Sequence, residues 1–172
     1  MEQLKLVDDG TWQPIRVLFV CLGNICRSPL AEAVFRHLVA ERGWSDRFEI
    51  DSAGTSGWHR GAPPDRRSAE TARRRGIALT GASRKVTATD LRRFDYVIAM
   101  DAENREALDE LHASTGGTAE VRRLREFEPG AASLDVPDPY YGGPRGFEDV
   151  HDIVERACAG LLARIATQRG LR

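Results

Sequence analysis

Val17-Leu18-Phe19-Val20-Cys21-Leu22-Gly23-Asn24-Ile25-Cys26-Arg27-Ser28-Pro29 runs from an unbroken apolar segment into a short loop and then into Ser-Pro. The apolar run suits a central strand of a parallel sheet covered on both faces. Ser28 followed by Pro29 reads as the N-cap and first turn of a helix. The loop between them therefore faces a helix N-terminus, where successive backbone N–H groups and the positive end of the helix dipole converge. Such a point attracts a phosphate-like group and favours the thiolate of a cysteine placed beside it. Cys21 occupies that place. Arg27, in the pattern Cys-x5-Arg, is always charged and offers a planar pair of donors to two oxygens of the same group. A thiolate, a bound dianion and a bidentate arginine predict a phosphoryl-transfer site. The loop lacks the Gly-Lys-Ser/Thr of a nucleotide P-loop, and no Gly-x-Gly-x-x-Gly follows a strand.

Outward from this stretch, 172 residues with 41% hydrophobic content predict one globular domain. Residues 1–14, with Asp8-Asp9-Gly10, read as a partly disordered N-terminal extension, and residues 15–172 as the domain. Leu30, Val34 and Leu38 beside Ala31, Phe35 and Val39 give a helix from Ser28 to Arg42, ended by Gly43. Phe48 to Ala53 alternates like a strand, and the glycines of 54–61 make a loop. A helix from Asp65 to Arg75 closes at Gly76. Tyr96 to Met100 is a buried strand, after which Asp101 caps a helix reaching His112. A weaker strand covers Val121 to Leu124, and Val150, Ile153, Val154, Ala157, Leu161 and Ile165 mark a long amphipathic C-terminal helix. Strands alternating with helices predict a doubly wound α/β fold. Loops leaving Cys21, Ala53 and Leu124 emerge at the carboxyl ends of strands, where such folds bind ligands, and share one crevice.

A net charge of −1 argues against a general polyanion binder. No run is apolar enough to span a membrane and no signal-peptide layout opens the chain, so a cytoplasmic protein without a membrane partner is expected. Three cysteines form no disulfide framework, and His37, His59, His112 and His151 are scattered without Cys-x2-Cys units. Neither a metal nor another cofactor is expected. Arg60 to Arg93 holds ten Lys/Arg against three Asp/Glu. That local excess raises a nucleic-acid-binding module as a competing reading, but no aromatic-interleaved basic motif accompanies it. A monomer with no nucleic-acid partner is the expectation.

The fuller string Cys-Leu-Gly-Asn-Ile-Cys-Arg-Ser-Pro resembles the signature of low-molecular-weight protein tyrosine phosphatases. The resemblance extends from Arg16 to about Arg164, through Asp51-Ser52-Ala53-Gly54, Phe94-Asp95-Tyr96-Val97-Ile98-Ala99-Met100-Asp101 and Asp138-Pro139-Tyr140-Tyr141-Gly142. It implies a four-stranded parallel sheet flanked by helices, and hydrolysis of phosphotyrosine in protein substrates through a phosphocysteine intermediate. Inorganic phosphate or vanadate would occupy the same site. Leu22 to Ser28 would bind the phosphate, Cys21 would be the nucleophile and Arg27 the stabiliser of the transition state. Locally, Asp138-Pro139 reads as an ordinary turn. The resemblance instead assigns Asp138 as general acid for the departing oxygen and then as base for the attacking water, a proton-transfer role that Cys and Arg fill poorly.

Supporting roles follow from the same resemblance. Asn24 suits the left-handed backbone of a tight anion loop, Ser28 donates to the Cys21 sulfur, and Ser52 holds Asn24. Arg75 stands where family members often carry a His, which questions the usual bracing of the loop. Trp58, Tyr140 and Tyr141 would wall the substrate ring. Ile25 favours phosphotyrosine, because relatives acting on phosphoarginine tend to place Thr there. Cys26 is either an apolar filler beneath the loop or, as in family members, the partner of Cys21 in a reversible disulfide. Arsenate reductases share Cys-x5-Arg but relay electrons through two further cysteines, and here the only distant one, Cys158, lies on the apolar face of the last helix.

Overall fold

The computed structural model describes residues 13–143 and 145–172. Of the extension read over 1–14, all but Gln13 and Pro14 lies outside the described residues. The apolar run forms β1 (Ile15–Cys21), which pairs in parallel with β2 (Phe48–Gly54) on one side and β3 (Tyr96–Ala99) on the other. β4 (Glu120–Arg123) pairs with β3 and completes a four-stranded parallel sheet in the order β2-β1-β3-β4.

Alternation along β1 divides its side chains between two layers. Ile15, Val17, Phe19 and Cys21 join the core beneath α1 (Arg27–Glu41) and α5 (Arg145–Arg169). Leu18 and Val20 join the opposite core with Leu91 of α3 (Ala88–Arg93) and Leu108 of α4 (Ala102–Thr115). Every one of these β1 side chains is buried, which is why the strand reads as a continuous apolar run. α2 (Arg66–Arg74) packs against α1 and α5. The C-terminal helix must come very close to the chain after β4. A Cβ at Gly160 would lie 1.9 Å from the Phe127 carbonyl oxygen, so only glycine permits this approach.

The expected α/β architecture holds, with four local corrections. α1 starts at Arg27 with Cys26 as N-cap and no side-chain cap, and Ser28 lies inside the first turn with its hydroxyl on Cys21 and Asn24. α3 adds to the expected elements, and the capping box of Thr87 and Asp90 is its start signal in the sequence. β4 ends at Arg123, and Leu124 opens a short 3₁₀ turn, Leu124–Phe127. α4 continues past His112 to Thr115 and stops at Gly116, whose φ of 67° suits glycine. The chain leaves β1 toward β2 and later returns to its other side for β3, so the switch point of the sheet lies between β1 and β3. Cys21 ends one of those strands, and Asp101 follows the other by two residues.

Candidate active site

The loop from Leu22 to Cys26 curls between β1 and α1, and the segment after β2 fixes its back. The Thr55 amide donates to the Cys21 carbonyl at 2.9 Å and the Ser56 amide to the Leu22 carbonyl at 3.0 Å. A Cβ at Gly54 would sit 2.7 Å from the Leu22 carbonyl oxygen and 3.2 Å from Asn24 Cβ. Gly54 is therefore the one residue of β2 whose missing side chain lets the loop settle. Asn24 has φ 55°, the left-handed backbone expected of it. Its amide donates to Cys21 Sγ at 3.2 Å.

The Asn24 side chain is held on both ends. Nδ2 donates to Ser28 Oγ at 2.8 Å and to Ser52 Oγ at 3.0 Å, while the Arg84 amide donates to Oδ1 at 3.0 Å. Ser52 in turn donates to Glu32 Oε1 at 2.8 Å. Ser28 Oγ accepts from Asn24, so its single proton goes either to Cys21 Sγ at 3.0 Å or to the Ala53 carbonyl at 3.4 Å. The shorter contact favours the sulfur. Arg75 faces α5, pairing with Glu148 and Asp152 at 2.6 Å each, and the loop is braced by Ser28, Ser52, Glu32 and Arg84 without it.

Arg27 is 3% exposed and its guanidinium spans the switch point. One nitrogen donates to Asp101 Oδ2 at 2.6 Å and to the Val136 carbonyl at 3.0 Å, and the other lies 3.5 Å from Asp138 Oδ2. Burial by itself would lower its pKa, but Cys21 and the Asp101 carboxylate outweigh burial and hold it above the ordinary arginine value. Asp101 serves two elements at once, since its Oδ1 accepts the Asn104 amide at 2.8 Å and caps α4. The segment carrying Asp138 is bolted to the same strand end. The Val136 amide donates to the Met100 carbonyl at 2.8 Å, and buried Arg125 donates to the Asp135 carbonyl at 2.8 Å. Asp138 Oδ1 accepts the Tyr140 amide at 3.0 Å, so the Asp-Pro turn and the site carboxylate are the same residue.

Cys21, Leu22, Gly23, Ile25, Cys26, Arg27, Ser56, Trp58, His59, Asp138 and Tyr140 line one open cleft. Trp58 stands at its rim, 85% exposed. The side chain of Tyr141 lies outside the described residues, though its backbone belongs to the short turn Pro139–Tyr141. Two cleft features escape a sequence reading. His59 packs against Gly23, where a Cβ would come within 2.9 Å of its ring, and its centroid lies 6.2 Å from that of Tyr140. Asp101 reads only as a cap, and nothing local marks it as the partner of Arg27.

Burial, then the Asp65 carboxylate and Cys21, push the Cys26 thiol well above its ordinary range. Cys158 is fully buried in the core of α5, its thiol likewise pushed up by burial, and takes no part in the cleft. Five of the ten basic residues of the stretch, Arg75 among them, are held in ion pairs within the described residues. Arg67 pairs with Asp65, Arg74 with Glu148, Arg84 with Asp51 and Asp90, and Arg93 with Glu49. No helix among the described residues is long and apolar enough to cross a membrane.

A family model described as "Low molecular weight phosphotyrosine protein phosphatase" matches residues 16–170. The low molecular weight protein-tyrosine-phosphatase YfkJ of Bacillus subtilis is 47% identical over 158 residues, covering 91% of this chain and 99% of its own. Its crystal structure superposes with a TM-score of 0.85, over 91% of this chain and 97% of that one. The human low molecular weight phosphotyrosine protein phosphatase is 41% identical over 149 residues, 86% of this chain and 94% of its own. A Drosophila arginine phosphatase structure is also similar, with a TM-score of 0.84 and 32% identity over 88% of this chain and 98% of that one. With the Cys-x5-Arg loop at the switch point of a four-stranded parallel sheet, and with relatives matched over nearly their full length, the chain belongs to the low molecular weight phosphotyrosine protein phosphatase family.

Proposed function

We propose that this protein hydrolyses phosphotyrosine in protein substrates by a two-step displacement at Cys21. The observation that carries the reading is the convergence of the Asn24 amide and the Ser28 hydroxyl on Cys21 Sγ in a cleft that Arg27 and Asp138 also line. In the first step Cys21 attacks phosphorus, the bond to the tyrosyl oxygen breaks, and Asp138 protonates that oxygen. In the second, Asp138 takes a proton from water as the water attacks the phosphocysteine, and Ser28 stabilises the departing thiolate. The amides of Leu22 to Ser28 and the Arg27 guanidinium hold the three equatorial oxygens throughout. Binding of phosphate would draw Arg27 toward the loop, with Asp101 keeping its plane in register. Charge is stabilised by these groups, so the reaction needs no metal.

Substrate choice lies in the walls. Ile25, Trp58 and Tyr140 line the cleft and suit an aryl ring, with Tyr141 in the same short segment. Because an arginine phosphatase shares the fold, the deciding experiment is a panel of phosphotyrosine, phosphoserine and phosphoarginine peptides, assayed with and without EDTA. Preferential, EDTA-insensitive release of phosphate from phosphotyrosine with competitive inhibition by vanadate is expected. Preference for phosphoarginine would overturn the substrate assignment. The protein acts as a cytoplasmic monomer on this reading, without nucleic-acid or membrane partners.

Cys26 serves as a redox guard on the same reading. Peroxide oxidises the Cys21 thiolate to sulfenic acid, and the Cys26 thiol condenses with it to a disulfide, releasing water before the irreversible sulfinic stage. Peroxide-treated wild type should regain most of its activity in dithiothreitol and Cys26→Ser much less. Equal recovery would leave Cys26 as packing.

A further inference from the structure

The peptide unit joining Gly23 to Asn24 carries a loop amide that donates to Cys21 Sγ at 3.2 Å. A peptide's carbonyl and N–H point in opposite directions, so whatever fixes the Gly23 carbonyl fixes the Asn24 amide. That carbonyl accepts a hydrogen bond from Ser83 Oγ at 2.9 Å. Ser83 is 4% exposed and belongs to an irregular segment, residues 78–87, to which no motif drew attention.

This segment is itself rigidly mounted. The Gly54 amide donates to the Arg84 carbonyl and the Val86 amide to the Gly54 carbonyl, each at 2.8 Å, so residues 84–86 pair alongside the end of β2. Ser83 exchanges backbone bonds of 2.8 Å with the Gly61 amide and the Ala62 carbonyl. The Arg84 guanidinium is pinned by Asp51 at 3.0 Å and Asp90 at 2.9 Å, and its amide holds Asn24 Oδ1. Two consecutive residues thus grip the peptide on either side of the Asn24 backbone and side chain.

We infer that Ser83 is a positioning residue for the phosphatase reaction: its hydroxyl locks the Gly23–Asn24 peptide with the N–H turned onto the Cys21 sulfur. The backbone bonds of Ser83 do not involve its side chain, so Ser83→Ala removes the lock and leaves the mount. The inference rests on the proposed use of Cys21 as a thiolate, and it is tested by a readout that needs no turnover. Iodoacetamide reacts with the thiolate, so the alkylation rate of Cys21 against pH reports how well the loop stabilises it. The charged and titratable groups around Cys21, namely Cys26, Arg27, His59, Asp101 and Asp138, are the same in wild type and variant.

Losing one oriented donor should slow Cys21 alkylation by about threefold to tenfold on the acid side of the profile, with the two rates converging on the alkaline side. Ser83→Thr, which keeps the hydroxyl, should restore the wild-type profile, and kcat for aryl phosphate should follow the same order while KM changes less. Superimposable alkylation profiles for wild type and Ser83→Ala would overturn the inference. A uniform change at every pH would do so too, since loss of packing gives no convergence. Failure of the phosphatase reading would be seen separately, as wild type that alkylates normally but releases no phosphate from phosphotyrosine.

Discussion

Cys21→Ser should lower phosphotyrosine turnover by on the order of 10⁴-fold or more while still binding inorganic phosphate or vanadate. A serine hydroxyl stays protonated at neutral pH, so the loop that stabilises a sulfur anion has no anion to present. Binding should survive because on the proposed mechanism Arg27 and amides of the loop would hold the oxyanion, and the loop is also held by contacts of Asn24, Ser52 and Gly54 that do not involve the sulfur. The two properties separate in one preparation, by steady-state rates and by calorimetric titration with phosphate. A Cys21→Ser protein with a near-normal rate would remove the covalent mechanism.

Asp138→Ala should cost about 10²- to 10⁴-fold with phosphotyrosine, the range for losing a general acid. The loss should shrink with para-nitrophenyl phosphate, whose leaving group departs with little need of a proton. Asp138 is partly exposed and its contacts are the Tyr140 amide and a long approach to Arg27, so its removal leaves the Val136 and Arg125 anchors of the segment intact. An equal loss with both substrates would make Asp138 a structural turn residue and require another acid.

Much of this arrangement is legible in the chain because it is written in side-chain type. The unbroken apolar run of β1 announces a strand covered twice, and both core layers are found on its alternate residues. The cysteine, arginine and Ser-Pro around it announce the anion loop. What remained illegible is carried by backbone groups and by contacts distant in sequence. Ser83 reaches Gly23, and Arg84 reaches Asn24, each across 60 residues through a backbone carbonyl or amide that leaves no mark in side-chain type. Asp101 shows its capping role in the local pattern and conceals its bond to Arg27, 74 residues away. His59 looked like one scattered histidine of four, and only the fold places it over Gly23. At Arg75 the sequence left the bracing of the loop in question, and the fold places its side chain against Glu148 and Asp152 of α5.

The most direct test of the account is to stop the reaction chemically and locate the phosphoryl group. Wild type and Asp138→Ala, each mixed with para-nitrophenyl phosphate and quenched in acid within milliseconds, would be digested and analysed by mass spectrometry. The account predicts a phosphoryl adduct on the peptide from Val17 to Arg27, at Cys21, more abundant in Asp138→Ala because that protein lacks the base for the hydrolytic step. An adduct on any other residue, or an initial burst of para-nitrophenol with no adduct at Cys21, would contradict it.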